Sequence, residues 1–157
     1  MLIYVSDQLS HSIVITEEVI AHFERYKQLR QWDKEAGGQL FAHFEAGRTI
    51  INLATGPRPT DERTRTSYVP KRAVEQEEIY YWYSKGLHYV GDWHTHPTKY
   101  PVPSKTDIEN ITSTTRNSVH ELQGLILVVV GLASFPEGLR VSMHNGNEDL
   151  IFQPFTN

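Results

Sequence analysis

The sequence predicts a mixed α/β fold of the α+β kind, a central mixed sheet flanked by helices. Three observations predict it. Short runs rich in Ile, Val and aromatic residues recur between turn-forming clusters, as strands do. Longer stretches repeat apolar residues at helical spacing. One run, Leu125 to Val130, is apolar throughout and bracketed by Gly124 and Gly131, the pattern of a central strand buried on both faces.

Residues 2–5 and 12–15 read as strands separated by a polar turn. Thr16 is placed to cap a helix over residues 17–30, where Glu17 and Glu18 suit the positive end of the dipole. Val19, Ile20, Phe23 and Tyr26 form its apolar stripe. Gly37-Gly38 opens a strand to about Phe44, and Ala46-Gly47-Arg48 turns it into a second, Thr49 to Leu53, as an antiparallel hairpin. Residues 55–66 carry prolines and charges without apolar period and read as an exposed loop. Tyr68-Val69 is a short strand ended by Pro70, and a helix follows over residues 72–85. Residues 87–96 form a strand, and two prolines stiffen the loop to Pro103. Ser104 begins a helix to about Ser118 with Ile108, Ile111 and Thr115 on one face. Residues 140–144 and 150–152 complete the sheet. There is no internal repeat, and one domain spanning residues 1–157 is expected.

The totals exclude several classes. A formal charge of −4, with 22% charged residues, gives no footprint for nucleic acid or an anionic membrane. The chain has no cysteine, which removes disulfides, thiolate zinc sites and a cysteine nucleophile. Amide cleavage here would need a metal, a serine or a threonine. The first residues lack a basic stretch before an apolar core, and the longest apolar run is too short for a bilayer. A cytoplasmic enzyme is the expectation.

His94-Thr95-His96-Pro97, followed after six residues by Ser104 and then Asp107, concentrates the chemistry. Side chains at i and i+2 of a strand share a face, so His94 and His96 project together. Asp107 falls in the first turn of the next helix, within reach of the strand end. Two imidazoles and a carboxylate are the ligands of a catalytic zinc that keeps a fourth position open. Each piece also has an ordinary reading: Ser-x-x-Asp is a capping-box pattern, and His-x-His recurs by chance. The combination and its spacing favour a metal at His94, His96 and Asp107. Spacing alone selects no general base among the 19 acidic residues.

The string HTHPTKYPVPSKTD resembles, position for position, the H-x-H-P-x6-S-x2-D core of the JAMM (JAB/MPN-plus) metallopeptidases. The resemblance extends to the order of elements over most of the chain. It implies the JAMM fold, similar in plan to the cytidine deaminases. It implies one zinc on His94, His96 and Asp107, Glu35 as base and then acid, and Ser104 as hydrogen-bond donor to the developing oxyanion. Glu35 is chosen because Lys34-Glu35-Ala36-Gly37-Gly38 matches the upstream glutamate of that family. Its ordinary reading is a solvated loop acid, and that of the glycines is a tight turn. Among bacterial members, the chain is similar to the deconjugating peptidases of CBASS antiphage operons. That likeness implies a substrate joined by an isopeptide or peptide bond through its C-terminus. The expected partners are a cyclic-nucleotide synthase and its conjugating enzymes.

The rival readings are other classes. Amidohydrolase-type barrels that use His-x-His need more chain and more ligands. Zinc deaminases need Pro-Cys-x-x-Cys, which is absent. Non-catalytic MPN scaffolds usually lack a ligand, and here none is missing. Elsewhere, the run Tyr80 to Tyr83 is expected to pack on the sheet rather than grip a peptide. Residues 55–66 stand equally as a substrate-binding insertion or a plain connection. Asp92 shares a strand face with His94 and has two readings, a residue that orients that imidazole and an ordinary surface acid, of which the second is expected. His11, His22, His43, His88, His120 and His144 have no ligand partner at useful spacing.

Overall fold

The computed structural model describes residues 1–117 and 124–157. The elements run β1 (Leu2–Val5), β2 (Ser12–Ile15), α1 (Glu17–Tyr26), β3 (Gly37–Glu45) and β4 (Arg48–Ala54). Then come β5 (Glu62–Arg63), β6 (Tyr68–Val69), α2 (Arg72–Ser84), β7 (His88–Thr95) and α3 (Lys105–Asn117). β8 (Leu125–Val130), β9 (Leu139–His144) and β10 (Asp149–Pro154) complete the chain. The mixed sheet is as expected, with one refinement: eight of its strands close on themselves, in the order β1-β10-β9-β8-β7-β3-β4-β2. β2 pairs with β4, and β7 with β8, in parallel; the other pairs in this sheet are antiparallel. Among the described residues no helix is long and apolar enough to cross a membrane.

β8 is buried at every position. Ile126, Val128 and Val130 enter the main core with Leu40, Val90, Trp93 and Phe23. Leu125, Leu127 and Val129 point the other way, into a second cluster with Ile111 of α3. The alternation of β8 thus packs the strand on both sides and seats α3 on the outer face.

Register matters most between β3 and β7. Leu40 pairs with Gly91 but Phe41 with Tyr89, so Val90 is an extra residue and a bulge forms. Gly91 has φ +152°, and a Cβ there would lie 1.8 Å from the Ile126 carbonyl oxygen. Only glycine fits. The bulge turns Val90 into the core while Tyr89 contributes to the outer cluster.

Several local expectations are corrected. α1 ends at Tyr26 rather than Arg30, because Lys27 leaves helical geometry and Gln28 turns into the core, where it is 1% exposed. Thr16 stands at the N-cap, yet its hydroxyl makes no cap bond and is buried without a partner. Gly37 and Gly38 open β3, as expected. A Cβ at Gly38 would meet the Thr55 carbonyl at 1.7 Å, so the pair permits close backbone packing. The helix end expected at Ser118 lies outside the described residues, as does His120.

Residues 55–66 are not simply solvated. Arg58 and Asp61 have buried side chains, and Arg58 pairs with Glu78 of α2. β5 then pairs with β6 in a small separate ribbon. The aromatic run is also corrected: α2 buries no residue, and Tyr80, Tyr81 and Tyr83 are exposed. Two of the run reach rings on the sheet: Trp82 lies 6.3 Å from Phe41, and Tyr83 lies 5.7 Å from His88.

Candidate metal centre

β7 ends at Thr95, so His94 lies in the last turn of pleat and His96 just beyond it. The His96 N–H donates to the Val130 carbonyl, which continues the β7–β8 pairing and keeps the second imidazole on the same side as the first. Pro97 and the loop behind it return the chain to α3. There Asp107 accepts the Ser104 N–H on Oδ2 at 2.7 Å, and the Ser104 hydroxyl accepts the Asp107 N–H at 3.1 Å. The capping box is therefore real. It fixes the same carboxylate oxygen that faces the histidines.

His94 Nε2 and His96 Nε2 lie 3.0 and 3.1 Å from Asp107 Oδ2. Despite that separation, His94 Nε2 is buried and makes no hydrogen bond. Three lone-pair atoms thus converge without a directed bond from His94, and such a set fits ligands that share a cation. A carboxylate oxygen of Glu35 and ring nitrogens of both histidines lie within 4.8 Å of one another. Nitrogen and oxygen donors in this number suit zinc. Among the described residues this is also the only such group of metal-competent side chains. The other histidines described have separate roles: His22 meets the Gly56 carbonyl, His43 meets Asn52 and His144 meets Thr112.

Electrostatics follow from this crowding. Burial raises the Asp107 carboxyl, but the two imidazoles and the Ser104 N–H outweigh it and hold Asp107 well below the usual carboxylate range. Contact with Asp107 raises His96 against the effect of burial, and a bond to the Val102 backbone adds to it. Burial pushes the Glu35 carboxyl up, with Asp107 adding to the effect and the imidazoles opposing it. Asp92 is no ordinary surface acid. It accepts the Tyr89 hydroxyl at 3.0 Å, and burial pushes it up to about 6.

Glu35 is held by its backbone on both sides. Its N–H donates to the Thr64 carbonyl at 2.7 Å, and its own carbonyl accepts Arg63 Nε at 2.7 Å. On the other side the neighbouring Ala36 pairs with Thr95. Sequence reading passed over Thr95, Arg63 and Gln28. The available signal was a hydroxyl on the inward side of an apolar strand, which must find partners. The structure thus gathers Glu35, His94, His96 and Asp107, and places Ser104 in the same helical turn as Asp107.

The model of prokaryotic homologs of the JAB domain matches residues 17–143. The chain belongs to this family. Similar proteins include the CD-NTase/cGAS isopeptidases of Escherichia coli, 29% identical over 83% of this chain and 82% of that one, and of Vibrio cholerae, 30% identical over 82% of each. A probable metalloprotease of Sinorhizobium fredii is 37% identical over 52% of this chain and 53% of its own length. A solution structure from Desulfitobacterium hafniense shares the fold, with TM-score 0.61, 15% identity and 88% coverage of both chains. The JAB-domain chain is a JAMM-type peptidase, and its fold brings His94, His96 and Asp107 together where one strand ends and one helix starts.

Proposed function

We propose that this chain is a zinc isopeptidase that cuts the amide bond after the C-terminus of a conjugated protein, a cyclic-nucleotide synthase in antiphage defence. The observation that carries the reading is the convergence of His94 Nε2 and His96 Nε2 on Asp107 Oδ2, at 3.0 and 3.1 Å, with Glu35 beside the histidines. The names of the relatives from Escherichia coli and Vibrio cholerae support the substrate class.

His94, His96 and Asp107 would hold the ion. Zinc in that seat supplies Lewis acidity to water and to the substrate carbonyl. Glu35 takes the proton of the attacking water and delivers it to the departing amine nitrogen. Burial pushes the Glu35 carboxyl up, the direction that suits a base that must also act as an acid. The Ser104 hydroxyl oxygen accepts the Asp107 N–H, which leaves its hydrogen to donate to the carbonyl oxygen as charge develops.

The test uses the zinc-loaded chain and a cyclic-nucleotide synthase fused through its C-terminus to a reporter protein. Cleavage at the junction is expected. Glu35→Ala should abolish cleavage and retain zinc. An intact fusion with the native chain, or loss of zinc together with activity in Glu35→Ala, overturns the assignment.

A further inference from the structure

Glu35 lies in the connection between α1 and β3, just ahead of the strand. The register of β3 on β7 sets Gly37 opposite His94, and it continues through Ala36, whose carbonyl accepts the Thr95 N–H at 2.8 Å. The next step sets Glu35 opposite His96. Opposed residues of an antiparallel pair carry their side chains on the same face. The Glu35 carboxylate therefore shares a face with both imidazoles, which is how one of its oxygens comes close to their ring nitrogens.

In an extended chain the N–H and C=O of one residue point to the same side, and those of the next residue point to the other. Ala36 turns both towards Thr95 on β7. Glu35 turns both towards Arg63 and Thr64, at the end of β5. Its N–H donates to the Thr64 carbonyl, and an ordinary antiparallel pair would return the Thr64 N–H to the Glu35 carbonyl. That donor is taken: the Thr64 N–H goes to the Ser67 carbonyl at 3.0 Å, inside the turn between β5 and β6. Arg63 Nε stands in for it at 2.7 Å. The same guanidinium reaches the Lys34 carbonyl at 3.5 Å, so it grips two consecutive peptide groups. The ribbon that presents Arg63 has anchors of its own. Its Thr64 and Ser67 hydroxyls meet at 2.6 Å, Gln28 donates to the Arg65 carbonyl, and Arg58 joins Tyr68 to Glu78 of α2. The zinc ligands sit elsewhere, on the end of β7 and the start of α3.

We propose that Arg63 is a positioning residue for the general base: its Nε–H closes the main-chain pair that Thr64 leaves open and keeps the Glu35 carboxylate on the face of the two imidazoles. The proposal rests on the reading of Glu35 as that base. Without the donor the Glu35 carbonyl has no partner, the peptide group turns to find one, and the carboxylate swings with it. A displacement of about 1 Å at a reacting group is worth about 10²-fold in rate. Arg63 bonds to the carbonyls of Lys34 and Glu35 and not to a zinc ligand, so the metal seat is left as it was.

Two substitutions of matched length isolate the donor. In Arg63→Gln the amide nitrogen stands where Nε stood, and in Arg63→Met a methyl group stands there; both remove the charge. The zinc-loaded chains are assayed on the fused synthase at a temperature where all are folded. Zinc content and amide hydrogen exchange, read by NMR, are measured on the same samples. Arg63→Met should lower kcat by about 10- to 100-fold, with KM and zinc content as in the native chain. The Glu35 amide should exchange about tenfold faster in that variant. Arg63→Gln should recover most of both. Met and Gln variants that behave alike overturn the proposal, because the donor is then not what matters. It is equally overturned if Arg63→Met raises KM with kcat unchanged, or speeds exchange at Glu35 with no loss of rate. A fusion left uncut by the native chain sinks the isopeptidase reading, and exchange then decides alone. Protection of Glu35 lost with Met and kept with Gln upholds the hold of Arg63 on that residue; protection kept in both overturns it.

Discussion

The Thr95 hydroxyl accepts the Ala36 N–H at 2.9 Å, joining the residue between the two histidines to the residue after Glu35. The same hydroxyl donates to Gln28 Oε1 at 2.8 Å, and the Gln28 amide is in turn satisfied by the Arg65 carbonyl at 2.8 Å. Thr95 is 0% exposed and Gln28 1%. Removing the hydroxyl leaves an amide hydrogen and a carbonyl oxygen unpaired in the core. Thr95→Val should therefore cost roughly 1–3 kcal/mol, a fall of about 3–8 °C in Tm by thermal denaturation. Thr95→Ser should recover most of it. A Val variant as stable as the native chain would show that this bridge holds nothing.

The cap that Ser104 makes and the oxyanion contact proposed for it separate experimentally. Ser104→Ala should lower turnover by about 10²–10³-fold, the usual loss for one oxyanion donor. Loss of the cap adds about 1 kcal/mol of destabilisation. Steady-state kinetics at a temperature where both chains are fully folded isolates the first effect. Unchanged kcat there would remove Ser104 from the reaction.

Metal content discriminates among the ligands. His94→Ala and Asp107→Ala should each purify without stoichiometric zinc, as read by elemental analysis, because a tridentate set loses most of its affinity with one ligand. A chelator should stop cleavage and added zinc restore it. A thiol alkylator should have no effect on this cysteine-free chain.

Glu75 carries a pH signature. Its folded-state carboxyl is pushed up to about 7 from an ordinary value of 4.5, so the folded chain binds that proton more tightly than the unfolded chain. The associated stability is complete below pH 4.5 and is lost as pH rises through about 7. Glu75→Gln should thus gain on the native chain between those limits, by roughly 1–2 kcal/mol at pH 8 after allowance for partial exposure. Denaturant titrations at pH 4 and pH 8 measure the difference. A constant offset between the two proteins would show that Glu75 is not perturbed.

Local periodicity made much of the frame legible. The alternation of β7 places His94 and His96 together, and the spacing to Ser104 and Asp107 reads as a helix start, which it is. What stayed hidden depends on distant partners. Thr95 and Ala36 are 59 residues apart, and Thr95 and Gln28 are 67. No window of sequence contains either pair. Arg58 looked solvated because charge normally means water, yet Glu78 on a later helix lets it be buried. The aromatic run misled for the opposite reason. Apolar content suggested packing on the sheet, but whether α2 turns those rings inward depends on its tilt and neighbours, which composition does not encode.

One oxygen, Asp107 Oδ2, serves both the backbone at the start of α3 and the two imidazoles. With a cation in the proposed seat, its affinity and the integrity of that helical turn would share one free-energy term and change together. Fraying of the turn would loosen the ion, and occupancy by the ion would slow amide hydrogen exchange at Asp107 and Ile108. The loop that follows Pro97 is in this sense a thermodynamic hinge between assembly of the domain and arming of its chemistry.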